Sequence, residues 1–274
     1  MEINLSIDPE LVRKILTEFI RSEISHAGFT RAVVNLSGGI DSAVSFALAA
    51  EALGPQNVLA IRLPYKTSSA DSLEHAQMLI DKFGCPSVTI SITNMADPLI
   101  DREPGMSEIR KGNIMARARM IVAYDQSEAF KGLVVGTGNK TEILLGYTTL
   151  YGDSACALNP IGDLYKTQVR QLAQALGIPE PIIAKPPSAD LWPGQTDEGE
   201  LGFTFEEVDR LLYLLVDQRY CPEECVEAGF NKKFVRQVFE RIRKHQFKRV
   251  LPPIAKLSSR TVGYDFLYLR DWGS

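Results

Sequence analysis

Histidine and cysteine, the residues behind most metal sites and disulfide frameworks, are sparse in this sequence. The three histidines (His26, His75, His245) lie far apart, and the four cysteines (Cys85, Cys156, Cys221, Cys225) include no C-x-x-C pair. A zinc site wants a second close ligand pair beside the first, so none is expected. Staples are unnecessary too, because 274 residues with 45% hydrophobic content can bury a core unaided. Long apolar runs are also missing: nothing approaches the roughly 18–20 residues of a membrane span. The chain start (Glu2, Asn4, Asp8) lacks a basic segment leading into an apolar one. Positive charge is in deficit, with 30 Lys and Arg against 34 Asp and Glu, a net charge of −4 and a pI near 5.6. Nucleic-acid binding through bulk charge is thereby disfavoured. The expectation is a globular cytoplasmic protein with reduced thiols and neither membrane nor nucleic acid as partner. Its length holds one catalytic core and no large accessory enzyme domain.

What the chain does have is an alternation of helical and strand-like segments. From Pro9 to about Ser25, Leu11, Val12, Ile15, Leu16, Phe19 and Ile20 follow a helical spacing opened by Asp8 and Pro9. Arg31–Leu36 is a short apolar run of the buried parallel-strand kind. Helices are then expected over Ala43–Leu53, Ser69–Phe83 and Glu108–Phe130, and strands over Val58–Leu63, Ser87–Ile92 and Leu133–Val135. Such alternation predicts an α/β fold, a parallel sheet with helices on both faces. Beyond residue 140 the pattern changes. A short helical piece near Thr141–Leu145 and a helix over Thr167–Leu176 precede a Pro/Gly/acid loop, Lys185–Gly202. Helices are expected over Phe205–Gln218, Pro222–Ala228 and Lys232–Phe247. The reading is one domain over residues 1–274: an α/β core over about 9–183, then a lid loop and helical C-terminal region over about 184–274.

The first strand runs into Ser-Gly-Gly-Ile-Asp-Ser, Ser37–Ser42, and then into a helix. A glycine turn at the carboxyl end of a parallel strand, facing the free N–H groups of the next helix, is suited to an oxyanion. Gly38 and Gly39 admit phosphate oxygens close to the backbone, and Ser37 and Ser42 add hydroxyls. Asp41 would repel phosphate unless a divalent cation lies between them, which points to Mg²⁺. An ordinary strand–turn–helix corner with a capping Ser or Asp is the competing reading. The loop matches neither G-x-x-x-x-G-K-[ST] nor G-x-G-x-x-G.

The S-G-G-x-D-S pattern resembles the nucleotide loop of the ATP pyrophosphatase superfamily, which implies adenylation with pyrophosphate release. Further motifs narrow the resemblance: R-L-P-Y (62–65), K-G-N-I-M-A-R-A-R-M (111–120), G-T-G-N-K-T-E-I-L-L-G-Y (136–147), N-P-I-G-D-L-Y-K-T-Q-V (159–169), P-P-S-A-D-L-W-P-G-Q-T-D-E (186–198) and F-K-R (247–249). Together, from about residue 9 to about 255, these resemble the NAD synthetase family, which amidates deamido-NAD. That resemblance implies the doubly wound parallel sheet of the superfamily with a helical C-terminal appendage. Asn35, Leu36, Ser37, Gly38, Gly39, Ile40, Asp41 and Ser42 would line the ATP phosphates, Arg62 and Thr137 the adenosine part, and Lys166 and Ser188 would reach phosphate. Asp41 and Glu142 would be Mg²⁺ ligands. Arg117, Asp153, Phe247 and Lys248 would belong to the dinucleotide site, which in the family lies partly across a homodimer interface. Asp41 and Lys166 would be catalytic, and Asp153 either handles ammonia or orders the substrate loop. Glu142 and Lys166 as solvated surface charges, Arg119 as a solvent-facing partner of Arg117, and Ser188 as a turn cap are the structural alternatives.

Two departures fall on the substrate side. Leu150 stands where the family commonly has lysine and Ala157 where it has aspartate, so an opposite-charged pair is lost together. Phe247 replaces a common histidine and keeps a ring to stack without its hydrogen bonds. Another adenylating enzyme, GMP synthetase-like or tRNA-modifying, is the alternative activity; a tRNA thiolase would call for a C-x-x-C pair and a basic face. A nucleotide sensor without chemistry would be expected to lose Asp41, Glu142 or Lys166, and all three are present. No cysteine sits in an amidase motif, so free ammonia or a separate protein is the expected nitrogen source.

Overall fold

The computed structural model describes residues 3–188, 190–192 and 194–265, so Ala189 and Pro193 of the Pro-rich motif lie outside the described residues. The chain opens with α1 (Pro9–His26), whose N-cap Asp8 accepts from the Leu11 amide as the sequence indicated. Then follow β1 (Ala32–Asn35), α2 (Ile40–Leu53), β2 (Val58–Arg62), α3 (Ala70–Phe83), β3 (Ser87–Thr89), α4 (Thr93–Ile100), α5 (Glu108–Phe130) and β4 (Leu133–Val135). All sheet pairings are parallel, in the order β3-β2-β1-β4. Helix α2 starts at Ile40, three residues ahead of the sequence expectation, because the glycine turn leads straight into it. Helix α4 was not anticipated: Pro98 lies inside it and Ile92 precedes it without a side-chain cap.

Alternate residues of β1 feed opposite cores. Ala32 and Val34 pack with α1, α2 and the later helix α7 (Lys166–Ala175). Val33 packs with Ile61, Ile92, Met115, Ala118 and Val122 on the α4/α5 side. Both sheet faces are thus covered, as the apolar runs required.

After β4 come α6 (Lys140–Leu145), α7, α8 (Glu180–Ala184), α9 (Asp197–Leu201), α10 (Phe205–Leu212), α11 (Pro222–Glu227) and α12 (Lys232–Lys244). Helix α9 lies inside the stretch read as loop, and α10 does not run regularly to Gln218. It passes into a π-type turn, Tyr213–Asp217. Likewise α12 stops at Lys244 and a 3₁₀ turn carries Gln246–Arg249. Phe203, Phe205, Val208, Leu211, Leu212 and Leu214 form a third core with Leu145 and Tyr165, which welds this region to α6 and the start of α7. Among the described residues no helix is long and apolar enough to cross a membrane. The four cysteines are free thiols, and burial pushes Cys85 and Cys225 up to about 11.

Candidate active site

Strand order reverses between β1 and its two neighbours, so β1 and β4 flank a topological switch point with the site at their carboxyl ends. The Ser37–Ser42 turn leaves β1 there. Gly38 takes φ +78°, and a Cβ on it would stand 2.2 Å from the Ser72 carbonyl oxygen, so glycine is required twice over. The Ser42 hydroxyl donates to the Gly39 carbonyl (2.9 Å) and accepts from the Ser37 amide (3.2 Å), which makes it a brace of the turn. No side chain caps α2. Its first amides therefore face the cavity free for an anion.

Three charged groups from distant segments meet beside this turn. The buried Lys166 ammonium, from the first residue of α7, pairs with Asp41 Oδ2 and lies 3.5 Å from Glu142 Oε1. It also sits 5.3 Å from the Phe205 ring centre. Asn139 orients both carboxylates. Its Nδ2 donates to Asp41 Oδ1 (2.9 Å), its Oδ1 accepts from the Glu142 amide (3.0 Å), and its own amide donates to Glu142 Oε2 (3.2 Å). That capping box opens α6 and is written in N-K-T-E. Burial and the Asp41 charge push Glu142 up to about 8. Burial works against the Lys166 ammonium, but Asp41 and Glu142 outweigh it and hold the group above its ordinary value. Two carboxylates this close suit a cation. Among the described residues no group of three or more His, Cys, Asp or Glu could hold a metal. A hard cation here would take two carboxylates and complete its shell with ligand oxygens.

These groups line one cavity of about 840 Å³, together with Asn35, Leu36, Arg62, Thr137, Asp153, Ser188 and Lys248. Asn35 Oδ1 and Arg62 Nε are buried there without a hydrogen-bond partner, as expected of groups kept for a ligand.

A family model for NAD synthase matches residues 12–252. The chain belongs to the NAD synthase family. It is 55% identical to the NH(3)-dependent NAD(+) synthetase of Trichlorobacter lovleyi over 269 residues, 98% of each chain. It is 32% identical to the solved NH3-dependent NAD synthetase of Campylobacter jejuni, with TM-score 0.78, covering 91% of this chain and 100% of that one. A structure described as NMN synthetase from Francisella tularensis is 30% identical, with TM-score 0.81, covering 92% and 100%.

Within this NAD synthase site the remaining residues divide sharply. Asp153 sits on a loop after α6, with Oδ1 accepting from the Thr149 amide (2.8 Å) and Oδ2 from the Thr148 hydroxyl (2.5 Å). Lys248 donates to the Gly146 (2.7 Å) and Thr148 (2.6 Å) carbonyls and so fixes the start of that loop. Burial lowers the Lys248 ammonium from its ordinary value, against the pull of Asp153. Ser188 lines the cavity and also accepts from the Asp190 amide (3.1 Å), so it does cap a turn. Arg117 and Phe247 are not brought into the cavity: both are exposed, and Arg117 donates to the Leu150 carbonyl at 3.2–3.3 Å.

Of the two α5 arginines it is Arg119 that lines the cavity, donating Nε to the Leu63 carbonyl (3.0 Å), so it is not solvent-facing. Burial lowers its guanidinium, against Asp190 and Asp153. Lys185 and Glu200, and Asp190 and Tyr147 from within the motifs, line the cavity too, without a role assigned to them from the sequence. Lys185 donates to the Ser72 hydroxyl (2.8 Å), while Asp190 accepts from the Ser69 amide and Ser72 hydroxyl (both 3.0 Å). Tyr147 donates to Glu200 (2.8 Å) and Asp197 (3.1 Å) of α9. Their signals, a lone lysine before Pro-Pro and acids in a loop-like stretch, have no period to expose them.

Proposed function

We propose that this chain makes NAD by amidating deamido-NAD with ammonia at the expense of ATP, releasing AMP and pyrophosphate. The observation that carries the reading is the meeting of Lys166, Asp41 and Glu142 at the glycine turn, with Asp153 across the same cavity. A carboxylate is a poor acyl donor because oxide is a poor leaving group. Attack of the substrate carboxylate on the α-phosphorus expels pyrophosphate and leaves an acyl adenylate. Ammonia then forms the C–N bond and AMP departs. The α2 amides and Lys166 would take up charge on the pyrophosphate as it leaves. Asp41 and Glu142 would hold Mg²⁺, which supplies charge neutralisation on the phosphates. Their mutual proximity and the raised Glu142 fit a divalent cation.

Incubating the protein with ATP, Mg²⁺, ammonium and deamido-NAD should yield NAD and AMP in equal amounts. Absence of NAD, with or without glutamine, refutes the reading. Because one neighbour is described as an NMN synthetase, a parallel reaction with nicotinic acid mononucleotide tests the acceptor. Faster turnover of the mononucleotide would move the substrate assignment there.

Asp153 is proposed to position or deprotonate the incoming nitrogen. Asp153→Asn should lower kcat about 10²-fold at saturating ammonium, the range of a lost general base. Wild-type turnover under those conditions would reduce Asp153 to loop ordering.

A second copy is proposed to complete the dinucleotide end. Arg117 shares the outer face of α5 with exposed Ile121 (55%) and Tyr124 (42%), and Phe247 is 57% exposed. Apolar groups flanking binding residues suit a subunit contact. Sedimentation equilibrium should read a dimer; a monomer with full activity would remove this proposal.

A further inference from the structure

The C-terminal helical region does more than lie against the α/β core. Asp209 of α10 is fully buried (0% exposed) and reaches the first turns of both α6 and α7. Its Oδ1 accepts from the Thr141 hydroxyl (2.5 Å), and its Oδ2 from the Thr167 amide (2.9 Å) and hydroxyl (2.8 Å). The Thr141 hydroxyl in turn accepts from the Lys166 amide at 3.0 Å. The residues held are therefore the immediate neighbours of Glu142 on one helix and the backbone of Lys166 on the other. Burial pushes the Asp209 carboxyl above its ordinary value, against the hydrogen bonds from Thr141 and Thr167.

Asp217 repeats the arrangement one position outward. It accepts from Lys140 Nζ (2.8 Å), the first residue of α6, and from the Tyr165 hydroxyl (2.6 Å), the N-cap of α7. In a regular α-helix residues seven apart share a face, and residues eight apart are turned by about 80°. The π-type turn at Tyr213–Asp217 inserts the extra residue that returns Asp217 to the face of Asp209. A local departure from α geometry thus has an identifiable product, two carboxylates aligned on two helix starts.

We propose that Asp209, seconded by Asp217, is a positioning residue that fixes Lys166 relative to Glu142 by clamping the first turns of α7 and α6 together. The clamp rests on the reaction proposed above only for its purpose, not for its geometry. An Asp209 carboxylate accepts all three donors; an amide of the same shape accepts on one side only and presents NH₂ to the other. Removing the Thr141 hydroxyl has the complementary effect, leaving both Asp209 Oδ1 and the Lys166 amide without a partner.

The test uses Asp209→Asn, Thr141→Val, Thr141→Ser and Asp217→Asn in the full chain, well below each variant's melting temperature. Two quantities are read: kcat with KM for ATP, and ATP affinity by calorimetry as a function of Mg²⁺. Asp209→Asn and Thr141→Val should each lose tenfold or more in kcat with KM changed less than threefold. Each should also raise the Mg²⁺ concentration at half-maximal ATP affinity about fivefold. Thr141→Ser keeps the hydroxyl and should stay within twofold of wild type, and Asp217→Asn should fall between. A lower melting temperature with unchanged kcat and Mg²⁺ dependence would make Asp209 a packing residue and overturn the inference. If wild type makes no NAD, the reaction fails as a proposal while calorimetry still decides the clamp. Equal Mg²⁺ dependence in wild type, Asp209→Asn and Thr141→Val would then sink it.

Discussion

Replacing Lys166 by methionine should lower kcat for amidation by about 10²–10³-fold, the usual cost of losing one preorganised charge-stabilising group. The ammonium is buried, pairs with Asp41, lies 3.5 Å from Glu142 and borders the turn whose amides await phosphate. A loss concentrated in kcat, with KM for ATP moved only a few-fold, would mark a group working on the departing pyrophosphate. Arginine should not rescue. The pocket is closed by Phe205 at 5.3 Å from the ammonium, and a planar guanidinium needs more room there than Nζ. Methionine also leaves two carboxylates facing each other. Breaking a buried ion pair typically costs about 3–5 kcal/mol, but here Glu142, already pushed up to about 8, can take a proton and relieve part of it. The variant should therefore fold, and circular dichroism with a melting curve separates that outcome from collapse. Unchanged kcat in a folded Lys166→Met protein would remove the lysine from the chemistry.

Gly38→Ala should be among the most damaging single-methyl changes at the described residues. Its φ of +78° costs an L-residue roughly 1–2 kcal/mol. Forcing a methyl into packed surroundings costs about 1–3 kcal/mol more. The obstacle is backbone, the Ser72 carbonyl 2.2 Å away, so no side chain can simply swing aside. What yields is the first turn of α3. Ser69 and Ser72 of that turn hold Asp190, and Ser72 also holds Lys185, so the loop flanking the cavity moves with it. ATP affinity should fall at least 100-fold and the melting temperature by several degrees. Gly39→Ala is the control. Gly39 has φ −89°, and a Cβ there would meet only the Ser37 hydroxyl at 3.4 Å. It should melt within a degree or two of wild type, any loss being confined to ATP binding. Equal effects from the two substitutions would contradict this account of the turn.

Local chemistry wrote much of the fold openly. The strand-like runs, the Asp8-Pro9 helix start and the S-G-G-I-D-S break are short-range patterns, and the elements stand where they point, within a few residues. Elements that escaped notice had contrary local signals. Helix α4 carries Pro98, and α9 sits among Pro, Gly and acids and is held by Tyr147, far away in sequence. The regular helix expected to Gln218 is interrupted by a π-type turn whose use appears only once Asp217 meets Lys140 and Tyr165.

By itself, then, the sequence determined the α/β class, the anion-ready turn after β1 and, through motif resemblance, the family. Period, turn chemistry and glycine requirements act over a few residues, so a string of letters carries them. Tertiary structure alone decided which charges face one another. Asp41 and Lys166 are 125 positions apart and Lys166 and Glu142 are 24 apart, and only chain crossing makes them one group. Arg117 and Arg119 read alike in sequence, yet two residues on a helix are about 200° apart, and the fold turns Arg119, half-buried, into the cavity and leaves Arg117 exposed. The reason is electrostatic. A buried charge is tolerable only where partners converge on it, and that convergence belongs to the folded chain.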